Sequence, residues 1–141
     1  MSRALNTVAV LAIAFTPACD SSTAPEPEPE IPNIEGTWDY VAPLDGFQGT
    51  NWTGTLTIFH AGGETFSGSW SIALATPQEV GETFSGQITQ GTINADGEVH
   101  LRFLPEFRHD GRVQGGSMTG TWLFAGQDEN FSGTFTASRR F

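Results

Sequence analysis

From Ile34 to about Ser138 the large apolar residues fall on every second position. Trp38 and Tyr40 share one row, as do Trp52, Leu56 and Ile58, and then Phe66, Trp70, Ile72 and Leu74. The same alternation runs through Phe84 and Ile88; Val99, Leu101 and Phe103; Met118, Trp122 and Phe124; and Phe131, Phe135 and Ala137. The intervening row is mostly Thr, Ser, Glu and Gln. Period-two alternation rich in aromatic and β-branched residues predicts half-buried strands, and no stretch here sustains a helical apolar stripe. Ala61-Gly62-Gly63-Glu64 reads as a tight hairpin. Asn94-Ala95-Asp96-Gly97 reads as a type I turn with a bulge. Longer loops are predicted at 43–50, 75–81, 105–112 and 125–130. Ile93 has the opposite parity to Ile88, so a bulge near Gly91 would split that stretch; the count is therefore seven or eight strands.

An all-β chain with one apolar face must close or sandwich to bury it. The expected architecture is a single antiparallel up-and-down barrel over residues 34–141. Five copies of a short pattern support it: a large apolar residue, a small polar one, Gly, another small polar one, and a second apolar residue, as in Phe66-Ser67-Gly68-Ser69-Trp70. Each such glycine lies on the apolar row, where a missing side chain lets a strand coil and lets a neighbouring ring cross the gap.

The N-terminus breaks this pattern. Arg3 precedes an uncharged, mostly apolar run from Ala4 to Phe15, too short to span a bilayer as a helix, which takes roughly 20 residues. Small Ala18 then precedes Cys19, the only cysteine. This is the tripartite layout of an export signal. The segment Phe15-Thr16-Pro17-Ala18-Cys19 resembles the lipobox of bacterial lipoproteins, which are cut before a cysteine that carries lipid. The resemblance implies a signal peptide at 1–18, lipid on Cys19, and a membrane anchor in the bacterial cell envelope, at the outer membrane or cell surface rather than the inner membrane. Within residues 19–33 Pro alternates with Glu and almost nothing is apolar, which predicts an extended, disordered spacer.

Composition narrows the partners. The formal net charge is −10 and there is no lysine, which argues against a nucleic-acid partner. Gly36-Thr37-Trp38 resembles the Gly-x-Trp of lipocalin and avidin-like barrels. In those families the Trp closes one barrel end under an Arg from near the last strand. The resemblance implies that Arg139 or Arg140 stacks on Trp38, and a ligand of small apolar kind.

No catalytic constellation emerges: Gly116-Ser117 is followed by Met118-Thr119 rather than a nucleophile elbow, and the three histidines are scattered. The expectation is a non-enzymatic module without cofactor or metal. Arg108 and His109, in the charged stretch 105–112, are candidates for a loop site at a barrel mouth. Trp38, Trp70 and Trp122 fit a packed core; with one barrel end open, Trp122 and Trp52 would line a ligand pocket. Two alternatives remain. One is a barrel that binds a protein partner of the envelope, as inhibitors of proteases do. The other is a small membrane-spanning barrel, disfavoured because Arg139 and recurrent Gly fall on what would be the lipid face.

Overall fold

The computed structural model describes residues 24–141. The proposed signal peptide and lipid site, Phe15 to Cys19, lie outside the described residues. Nine antiparallel strands and no helices make up the described chain: β1 Gly36–Pro43, β2 Asn51–Phe59, β3 Ser67–Ala75, β4 Val80–Gln87, β5 Gln90–Ile93, β6 Glu98–Leu104, β7 Phe107–Gln114, β8 Ser117–Ala125 and β9 Asn130–Arg139.

The strand count exceeds the expected seven or eight because residues 105–112 are not a loop. Only Pro105 and Glu106 turn the chain; Phe107 onwards is β7, paired with β6 and β8. The inward row of β7 is Phe107, His109, Gly111 and Val113, with Arg108, Asp110 and Arg112 outward. Histidine and glycine stand where apolar side chains usually mark a strand, and the charged outward row imitates a loop. The parity change at residues 88–89 does separate β4 from β5.

The strands form one sheet in the order β4-β3-β2-β1-β9-β8-β7-β6-β5. Apart from the β1–β9 pair, which sets the first and last strands side by side, neighbours in the sheet are neighbours in sequence. The sheet curls into a half-barrel rather than a fully laddered barrel. Its edges meet at one end only. There Phe66 N–H donates to Gly91 O and Ile93 N–H to Glu64 O, so β5 runs beside the start of β3 where β4 gives out. Over the rest of its length β4 has no partner on its outer side.

The core lies inside the curl. Trp38, Tyr40, Leu56, Val99, Leu101, Phe103 and Met118 are all essentially inaccessible. The repeated glycines serve it in two ways. A Cβ on Gly86 would lie 2.9 Å from the Trp70 ring, and one on Gly133 would lie 2.8 Å from Trp122 Nε1, so each indole lies across its cross-strand glycine. At Gly54 the obstacle is backbone: a Cβ would collide with the Ser71 carbonyl oxygen and sit 2.8 Å from Ile72 Cα.

Candidate functional site

One end of the curl is sealed. The Trp38 indole N–H donates to Ile34 O at 3.0 Å, and the Arg139 guanidinium stands 5.9 Å from the Trp38 ring centroid. Arg139 also donates to the carbonyls of Asn33 and Glu35, tying down the segment before β1. Arg140 instead pairs with Asp39, its Nε 2.9 Å from Oδ1, and holds that carboxyl below the usual carboxylate range. Buried His60 adds a further clamp: its Nδ1 accepts from Ile34 N–H, and its Nε2 faces Gly63 O at 2.6 Å. A carbonyl can only accept, so Nε2 carries the proton.

The other end holds an apolar cavity of about 520 Å³. Antiparallel order brings the ends of β1, β3, β6 and β8 there together with the starts of β2, β7 and β9. Its inner end is formed by Trp70, Phe107 and Trp122, all buried. Trp52, Ile72 and Leu74 line one side, and Phe84 and Ser85 of β4 another. Leu44, Leu104, Phe124 and Phe131 stand nearer the mouth. Ser85 is the sole lining residue with a hydroxyl, and none carries a charge. Such a volume lies within the roughly 300–1,000 Å³ typical of small-molecule sites. Phe84 and Leu104 of the lining, and Phe47 and Val80 outside it, remain exposed, an unusual gathering of large apolar side chains at one end of a small domain.

Beneath the cavity lies a cluster of rings. Phe103 stacks on Trp70 at 5.2 Å and Phe107 packs edge-on against Trp122 at 5.5 Å. Tyr40 and His109 meet within it, Tyr40 Oη 2.7 Å from His109 Nε2. Burial pushes the His109 imidazole down to about 3 and the Tyr40 phenol up, so both are neutral at ordinary pH. His109 Nδ1 and Trp122 Nε1 are buried without a hydrogen-bond partner. A neutral pair at this depth cross-links β1 to β7.

Trp52 and Trp122 therefore stand in one cavity wall, while Arg108 and His109 line none of it and instead border a second, more polar depression over β5, β6 and β7. Neighbouring strand residues point to opposite faces. Arg108 is exposed on the outer surface and His109 is 1% exposed in the core, which corrects the expected loop site at the barrel mouth. Outside, β6 and β7 set ionisable side chains opposite one another on alternate rungs. Glu98 faces Arg112, His100 bonds Asp110 at 2.6 Å, and Arg102 lies across from Arg108. The cavity residues Ile72, Leu74 and Phe107 were not singled out by sequence. Alternation puts them on the inward row without saying which inward residues face a void.

The chain matches no known protein-family model and no curated protein sequence.

Proposed function

We propose that this chain is an exported, lipid-anchored bacterial lipoprotein of the cell envelope whose β-domain is a non-enzymatic module binding a small apolar ligand. The observation that carries the binding reading is the cavity walled by Trp52, Trp70 and Trp122 beside a sealed opposite end. Its lining offers area and almost no polar recognition, so affinity would come from burial, at about 25 cal/mol per Å² of apolar surface removed from water. Export and anchorage rest on the Ala18-Cys19 junction and the Pro-Glu spacer that follows it.

The test of binding is a titration with the fluorescent apolar probe N-phenyl-1-naphthylamine. The expected result is saturable one-to-one binding with quenching of tryptophan emission, abolished in Leu74→Arg, which places a charge in the wall. Binding that does not saturate, or that survives Leu74→Arg in a folded protein, overturns the reading. Anchorage is tested separately. Globomycin should make uncleaved precursor accumulate, and Cys19→Ala should abolish incorporation of radiolabelled palmitate; no palmitate on the unaltered chain rules the anchor out. An exposed apolar rim favours a second reading in which the occupant belongs to a protein partner.

A further inference from the structure

The sheet is unfinished beside the cavity. In the β3–β4 ladder Ile88 N–H donates to Gly68 O at 2.8 Å, and the register continues through Trp70↔Gly86 and Ile72↔Phe84. Antiparallel ladders alternate, so Gly86 and Phe84 turn their backbone groups toward β3, while Gln87, Ser85 and Thr83 turn theirs away. The outward carbonyl of Gln87 is taken by Trp70 Nε1 at 3.1 Å, and the same N–H reaches Phe103 O on β6 at 3.2 Å. One indole thus stands in for a single rung between β4 and β6. Beyond it, toward the cavity mouth, Ser85 and Thr83 face no strand.

Soluble proteins usually blunt such an edge with lysine, proline or a covering loop. Here the edge strand carries Val80 and Phe84, 69% and 51% exposed, and lies against an apolar cavity. We infer that β4 is a docking edge for an extended segment of a partner polypeptide, which adds as a strand in the gap between β4 and β6 and places alternate side chains in the cavity. The inference rests on the cavity being a binding site and names its occupant. Only a polypeptide offers N–H and C=O groups at the spacing that Thr83 and Ser85 present, and only an extended one directs every second side chain to the same face. A second copy of this chain fits badly. Two chains each of net charge −10 would meet along strands that both carry Glu82, next to Glu79. Exposed Glu79, Glu82 and Glu106 flank the gap and take part in none of the ion pairs among the described residues, so the complementary segment is basic as well as apolar.

A labelled octapeptide alternating leucine with arginine is the probe, read by fluorescence anisotropy on the full chain. Its fully N-methylated counterpart keeps the charge and side chains and removes the ladder donors. In Thr83→Pro the lost N–H is one that points away from β3, so the sheet keeps its own bonds. The inference expects saturable binding of the plain peptide, weakened about tenfold or more by N-methylation and by Thr83→Pro, with naphthylamine binding unchanged. Equal affinity for the plain and N-methylated peptides overturns it. Naphthylamine binding without peptide binding overturns it and leaves the cavity reading intact, whereas loss of both overturns the two together. If Thr83→Pro does not fold by circular dichroism, the N-methylated peptide on the unaltered protein decides.

Discussion

Replacing Trp70 by Phe tests whether one indole holds the sheet's edges together. Trp70 is 6% exposed, stacks on Phe103 with ring planes 15° apart, and shares its N–H between Gln87 O and Phe103 O. Phenylalanine keeps a ring and removes the donor. Gln87 is exposed and its carbonyl can take water instead, but Phe103 is 1% exposed and its carbonyl loses this partner. A buried group left unpaired costs about 1–3 kcal/mol. The smaller ring also leaves a void against Gly86, worth about 1 kcal/mol on the scale of large-to-small core changes. The sum is about 2–4 kcal/mol, measured as a shift in the urea midpoint by far-ultraviolet circular dichroism. Trp52→Phe is the matched control. Trp52 is only half-buried and touches Phe84 and Phe107 by its ring alone, so about 1 kcal/mol or less is expected. Hydrogen exchange should localise the Trp70→Phe effect, with faster exchange at Ile88, Thr89 and Ile93, whose amides hold β5 in place. A cost below about 1 kcal/mol, or exchange that rises evenly over the sheet, would refute the bridging role.

Three further outcomes follow from the same contacts. Gly54→Ala drives a Cβ into the β3 backbone and should cost about 3 kcal/mol or more, whereas Gly63→Ala, with open space around it, should stay within about 0.5 kcal/mol; similar urea midpoints for the two would sink the close-approach account. His109 is held neutral well below its ordinary 6.5, so between about pH 3 and 6.5 the unfolded chain binds the extra proton. Its contribution is therefore complete above about pH 6.5 and is lost as pH falls, at up to about 1.4 kcal/mol per pH unit. Between pH 7 and 4.5 the wild type should lose about 2–3 kcal/mol more than His109→Phe, and parallel pH profiles would contradict that. Arg139→Ala should cost about 1–2 kcal/mol through the lost Trp38 stacking and carbonyl contacts, and Arg139→Lys should not restore it, because one ammonium cannot reproduce the guanidinium fork; full rescue by Lys would mean that charge alone matters.

Where strands carry an unbroken apolar row, the sequence was enough to find them. β1, β2, β3, β6, β8 and β9 lie on the segments that alternation marks. β7 was hidden because its inward row spends two positions on His109 and Gly111. The histidine is tolerated only because Tyr40, far away in the chain, supplies a hydrogen bond at that depth. Phe84 shows the converse limit. It sits on the apolar row yet is half exposed, since the strand beyond β4 that would cover it is absent. The cavity was illegible for the same reason. Alternation tells which face a side chain takes, but a void depends on which strands fail to meet, and that is a property of register.

The register failure has a local cause, and it ties the cavity to the open edge. β4 and β5 read as one strand until residues 88–89, where the alternation changes phase. After that point the chain pairs with β6 through Gln90↔Arg102 to Ile93↔Val99, and it still donates to the start of β3. Before it, the chain pairs with β3 alone. The single phase change thus lets one stretch close the curl at the Trp38 end and leaves β4 without a partner at the other. Trp70 stands at the junction, donating across the last point where β4 and β6 are close enough to share a hydrogen bond. In this fold the apolar chamber, its exposed rim and the free edge all follow from that one irregularity, so changes that restored alternation across 88–89 should shut the chamber as they lengthen the ladder.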